Sequence, residues 1–109
     1  MTVSELSQRL SLTPLSVPQG DRVFKGVYIG DLLSWVMGRA QGDNLWITIM
    51  SNINIVAVAA LTDVAAILLA EGVTLEENVI RTAEEKGINV FTSPMTAYEL
   101  AEKLAGIDK

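Results

Sequence analysis

Short apolar stretches alternate with helical ones from residue 22 to the end of this 109-residue chain, which predicts an α/β fold. Three observations carry that expectation. The runs 45–50, 65–70 and 88–91 are apolar and short, as strands buried on both faces are. Helix start and stop signals fall between them. Strands joined by helices imply a mainly parallel sheet with right-handed crossovers and helices packed on it. No repeat, linker or low-complexity segment interrupts the pattern, so residues 1–109 are expected to form a single small domain.

The first helix is punctuated clearly. Thr2-Val3-Ser4-Glu5 is a capping box, with Thr2 as N-cap and Glu5 at the third helical position. Val3, Leu6 and Leu10 share one face, and Leu12-Thr13-Pro14-Leu15 is expected to break the helix. Pro18-Gln19-Gly20-Asp21 reads as a turn. The alternation from Arg22 to Ile29 predicts a strand kinked at Gly26. Asp31 is placed to cap a short helix that Gly38 closes, and Gln41-Gly42-Asp43-Asn44 is a second turn. Leu45–Met50 is expected as a buried strand, followed by a Ser51-Asn52-Ile53-Asn54 turn and an apolar helix over Ile55–Leu61. Periodicity alone also admits a strand there, because Ile, Val and Ala alternate. Ala65–Ala70 is another buried strand, and Thr74 to Glu77 a second capping box whose helix ends at Gly87. Ile88–Phe91 is a short strand, and Ser93-Pro94 is expected to open the last helix.

Composition excludes several functions. Arg9, Arg22, Lys25, Arg39, Arg81, Lys86, Lys103 and Lys109 are scattered, and the net charge is −5, so neither nucleic acid nor an anionic membrane surface is an expected partner. There is no cysteine and no histidine, which removes thiol chemistry, the commonest general base and the commonest transition-metal ligands. No cofactor is implied. The uncharged stretch 44–62 carries Thr48, Ser51, Asn52 and Asn54, polar groups that a membrane-spanning helix would have to bury in hydrocarbon. No signal peptide is visible, and a cytoplasmic location is expected by default. Half of the residues are hydrophobic and 19% are charged, an apolar excess for so small a chain that leads us to expect self-association.

Several phrases in this order resemble the DRTGG domain, a small module related to the N-terminal domain of HPr kinase/phosphorylase. Residues 26–40 look like its strand and following helix, 45–61 like its central strand, turn and helix, and 77–104 like its C-terminal unit. One departure stands out. The family takes its name in part from an Asp-Arg turn after the central strand, and here that turn is Ser51-Asn52-Ile53-Asn54. The resemblance implies a regulatory or accessory module, often dimeric and often attached to an enzyme.

In a parallel sheet ligands gather at the carboxyl ends of the strands, where helices begin and free amides converge. The candidate residues there are Gly30, Asp31, Ser51, Asn52, Asn54, Glu71, Gly72, Thr92 and Ser93. Capping alone explains the residue types of Asp31, Asn54 and Ser93. Asp31 and Glu71 could pair as carboxylates or hold magnesium, but no third acid is near them in sequence. Ser51 and Ser93 lack a base and a nucleophile-elbow pattern, and there is no Gly-rich phosphate loop. The expected function is a non-catalytic regulatory interaction module, homodimeric, that docks on or regulates a partner enzyme. The alternative is a sensor binding a nucleotide or phosphorylated metabolite at the strand ends.

Overall fold

Four parallel strands step across one sheet in chain order, and a fifth closes its far side. A computed structural model describes residues 1–107; Lys109, one of the scattered basic residues above, lies outside the described residues. The elements are α1 Val3–Arg9, β1 Thr13–Ser16, β2 Val27–Ile29, α2 Leu33–Arg39, β3 Leu45–Thr48, α3 Asn54–Thr62, β4 Ala66–Leu69, α4 Glu77–Glu85, β5 Val90–Thr92 and α5 Ala97–Ala105. The strand order is β1-β5-β4-β3-β2. β2 to β5 are parallel, and β1 runs antiparallel to β5. The expected α/β class and mainly parallel sheet are what the chain adopts.

Crossovers of one hand that all step the same way must lie on one face. Accordingly Val36 of α2, Ile55, Val56, Val58 and Ala59 of α3, and Val79 and Ala83 of α4 share one core with Trp46, Ile67, Leu69 and Val90 of the sheet. The second core sets Val3 and Leu6 of α1 and Leu100 and Leu104 of α5 against Leu45, Ile47, Ala66, Leu68 and Phe91. Successive strand residues alternate between these cores, as the pleat demands. That double burial is why β3 and β4 read as unbroken apolar runs.

Tertiary structure overrides several local signals. Thr13–Ser16 forms an edge strand where only a break is expected; Pro14 is tolerated because an edge position leaves its missing N–H unneeded. Of the strand expected over 22–29, Val27–Ile29 joins the sheet, and Val23 makes an isolated antiparallel bridge with Thr2. Gly26 has φ +79°, and a Cβ there would stand 2.8 Å from Asn44 Nδ2, so the chain kinks and the ladder starts after it. Asn44 then donates to Lys25 O at 2.9 Å. No capping box forms at Thr74: the side chain of Leu75 is buried, and α4 opens after Glu76 with no side-chain cap. α5 begins at Ala97 rather than at Pro94, because Thr96 and Glu99 make a complete capping box three residues on. Thr2 and Glu5 make the other, as expected.

Two expected outcomes follow from the packing and the caps. Ala59 is fully buried, so Ala59→Leu should cost about 1–3 kcal/mol in urea unfolding. Glu5 and Glu99 each accept the amide hydrogen of their N-cap threonine, and that bond, followed by the threonine hydroxyl, holds both carboxyls below their ordinary values. Their contribution is therefore present above the ordinary carboxylate range and is lost as the pH falls through the lowered values. Circular dichroism should show helix loss as the pH falls below the ordinary carboxylate range, and a smaller loss in Glu99→Gln.

Candidate functional site

The carboxyl ends of β2 to β5 bring the expected residues to one edge of the sheet, yet the structure divides them. Gly30 and Asp31 fasten the end of β2 to β3. Gly30 O accepts from the Trp46 indole at 2.9 Å, and Gly30 N donates to Ile47 O at 3.2 Å. Asp31 Oδ1 accepts from Thr48 Oγ1 at 2.8 Å and from Ile49 N at 3.0 Å. Asp31 is thus not a helix cap; α2 opens after Leu32 without a side-chain cap. The carboxylate is held by a buried hydroxyl on the next strand because Thr48 ends β3 beside it.

Glu71, Gly72, Thr92 and Ser93 close two loops on each other. Glu71 and Gly72 both adopt left-handed conformations, with φ 58° and 71°. Glu71 N donates to Met95 O and Gly72 N to Ser93 O, each at 2.8 Å. The Thr92 hydroxyl donates to Val73 O. Ser93 is buried, and its hydroxyl accepts from Met95 N at 3.1 Å, so it stabilises this loop instead of capping α5. Asp31 and Glu71 end strands that are separated by β3, and they belong to different hydrogen-bonded sets. Among the described residues no group of three His, Cys, Asp or Glu side chains is arranged to hold a metal ion.

Only Ser51 and Asn52 of the expected set line an open groove at this edge, of about 360 Å³. Ile53, Thr74, Glu76, Asn78 and Val79 complete its lining. Sequence reasoning misses Thr74, Glu76, Asn78 and Val79, because it assigns 74–77 to a capping box. The groove lies between the N-termini of α3 and α4, both nine residues long and both without a side-chain cap hydrogen bond at the N-cap, Ile53 or Glu76. Their first-turn amides carry the positive end of each helix dipole. The side-chain lining offers a carboxamide at Asn52 and another at Asn78, hydroxyls at Ser51 and Thr74, one carboxylate at Glu76 and no cationic side chain. Such a surface can hydrogen-bond a polar ligand. Asn52 Oδ1 accepts from Asn54 N at 2.9 Å, an Asx turn that leads into α3. Asn54 is therefore not the cap, and it lines a different groove, between α3 and α4.

The opposite edge is sealed. Arg22 Nη2 binds Asp43 Oδ1 at 2.9 Å, Asp63 Oδ1 at 3.0 Å and Asp63 O at 2.7 Å. Burial opposes the charge on Arg22, but the bonds and charges of Asp43 and Asp63 outweigh it and raise the pKa above the ordinary arginine value. Asn89, buried beside this edge, accepts from Gln19 N and donates to Gln19 O and Ala65 O. The two tryptophans differ. Trp46 is wholly buried, whereas Trp35 is 54% exposed with the Arg39 guanidinium 3.8 Å above its ring.

A one-way parallel ladder with loop sites at its strand ends defines a small three-layer α/β module. The family model that matches is the DRTGG domain, over residues 18–107, and the chain belongs to that family. Among solved structures it is similar to the CBS and DRTGG domains of the regulatory region of Clostridium perfringens pyrophosphatase, crystallised with its activator, diadenosine tetraphosphate. That likeness has a TM-score of 0.76 at 17% identity and covers 93% of this chain. The chain spans 44% of that structure, which holds CBS domains as well. No curated protein matches the chain in sequence.

The hydrogen bonds around α3 predict opposite outcomes for two neighbouring asparagines. Asn52→Ala should destabilise by about 1 kcal/mol in urea unfolding. Asn54→Ala, with no side-chain bond to lose, should stay within about 0.5 kcal/mol of the parent.

Proposed function

We propose that this chain is a non-catalytic regulatory interaction module of the cytoplasm that self-associates and docks on a partner enzyme. The observation that supports this most is α3. No charged residue occurs from Asn54 to Thr62, and the helix is apolar on its outer side as well as its inner one. Ile53, Ala57, Ala60 and Leu61 are exposed at helical spacing, Leu61 by 75%. A helix apolar all round is ordinarily covered on both sides. Beside it a groove of about 500 Å³ runs between α3 and α4, with Val56, Ala57, Ala60 and Leu61 along it and Thr82 and Lys86 at its rim. An amphipathic helix carrying an acid to meet Lys86 fits that groove. In keeping with a non-catalytic role, Asp31 is engaged in bonds between strands, and Thr92, Ser93 and the Glu71 backbone close loops.

A second reading is a sensor for a nucleotide or another phosphorylated metabolite. The groove between the N-termini of α3 and α4 favours it, with Ser51 and Asn52 joined by Thr74 and Asn78. The regulatory region of the pyrophosphatase binds diadenosine tetraphosphate, which lends this reading support at the level of ligand class. Glu76 on the groove repels phosphate, so such a ligand would have to lay its sugar or base there and its phosphates toward the amides of α3.

Thermal unfolding against nucleotides and phosphorylated metabolites separates the two. A sensor ligand at a hundred times its dissociation constant should stabilise by about 2.7 kcal/mol, and Asn52→Ala should abolish the shift. A flat panel, with a partner enzyme captured by the parent and not by Leu61→Glu, is the result expected of the docking module. Partner capture that survives Leu61→Glu would remove α3 from the account.

A further inference from the structure

Charge is spread unevenly over this molecule. From Leu32 to Thr62, a stretch that contains α2 and α3, the only charged residues are Arg39 and Asp43, and Asp43 is already bound by Arg22. Arg39 ends α2, with its guanidinium over the ring of Trp35. Lys86 follows the last turn of α4 and lines the apolar groove beside Leu61. Neither cation makes an ion pair among the described residues. Glu84 and Glu85 are exposed on α4, but the groove lining holds no acid. A chain of net charge −5 thus keeps α2, α3 and the groove free of unpaired acids and sets two cations there. α3 packs between α2 and α4, and all three helices run back toward the amino ends of the strands. Arg39, Leu61 and Lys86 each stand in or just past the last turn of a helix, so the two cations belong to the helices on either side of the C-terminal end of α3.

We propose that the occupant of the α3 surface is an acidic amphipathic helix of the partner enzyme, laid antiparallel to α3 with the acids of its first turn meeting Lys86 and Arg39. This rests on the docking reading above and gives it a sign and a direction. Charge sets the sign. A basic helix would meet two cations, and the α3 of a second copy would bring no acid to either of them. Helix dipoles set the direction. Acids in the first turn suit the positive end of the helix that carries them, and that end lies best against the negative C-terminal ends of α2, α3 and α4. A helix laid the other way would bring its own negative end to theirs. In the proposed direction the apolar stripe of the incoming helix runs from Leu61 past Ala57 to Ile53, exposed positions spaced as one helical face. Ala57 and Ala60 are small, so the two helix axes can approach closely at the middle of the contact.

Trp46 is wholly buried and Trp35 is half exposed, so intrinsic fluorescence reports on this surface through Trp35. The probes are synthetic helical peptides that share one apolar stripe. One carries glutamates in its first turn, another the same glutamates in its last turn, and a third lysines in its first turn. The first should bind tightest and shift the Trp35 emission to the blue. Lys86→Glu should weaken it about tenfold and favour the lysine peptide instead. Equal binding of all the peptides, or preference for acids in the last turn, would overturn the proposal while leaving α3 as an apolar docking surface. No binding by any peptide, with partner capture still lost in Leu61→Glu, would likewise overturn the acidic helix and keep α3. Capture that survives Leu61→Glu would end both readings. If Lys86→Glu fails to fold, as circular dichroism would show, Arg39→Glu carries the same test.

Discussion

The handedness of the crossovers governs this molecule. β2, β3, β4 and β5 lie side by side in chain order, so α2, α3 and α4 all return over the same face. The other face would stand open were it not for the two ends of the chain. α1 and α5 supply the second core, and these are the two helices with complete capping boxes. The division has a physical sense. A crossover helix is held at both ends by its parallel strands, whereas α1 and α5 are not crossovers and depend more on their own caps to start in the right place.

The same one-way order bears on the site. In doubly wound sheets a crevice opens where the strand order reverses. β2 to β5 contain no reversal, and the strand-end residues divide among three hydrogen-bonded neighbourhoods instead of lining one crevice. The opposite edge is stitched by Arg22, Asn44 and Asn89, whose polar atoms are taken up by neighbouring loops. No buried side-chain nitrogen or oxygen among the described residues lacks a partner. One edge is thus consumed by structure, and the other keeps the groove between the N-termini of α3 and α4 as its open surface.

Apolar excess is distributed in a similar way. The cores absorb Trp46, Phe91 and the aliphatic runs completely, but α3, Trp35 and the β2 edge keep apolar atoms in water. Scattered exposed hydrophobics are normal. An uncharged helix beside an apolar groove is not scattered, and it offers a surface with its own geometry.

The α/β class, the buried strands β3, β4 and β5, and the helical reading of 55–61 were legible in sequence because two-sided burial leaves unbroken apolar runs and turn residues bound them. The first capping box was legible too, since its hydrogen bonds join residues three apart. What required tertiary structure were choices between equally good local signals. Thr74 and Thr96 both begin capping patterns, and burial of Leu75 together with the loop of Ser93 and Met95 decided that only the second forms. Pro14 looked like a breaker and became an edge residue, because β5 offered an unpaired side. Asp31, Asn54 and Ser93 had the right types for caps, yet partners distant in sequence claimed Asp31, a neighbouring carboxamide replaced Asn54, and burial turned Ser93 inward. By itself the sequence determined which residues are buried and in what rhythm, since that follows from the pleat and the helical turn. Only the tertiary structure decided which polar groups remain free, because that depends on the neighbours the chain brings to them.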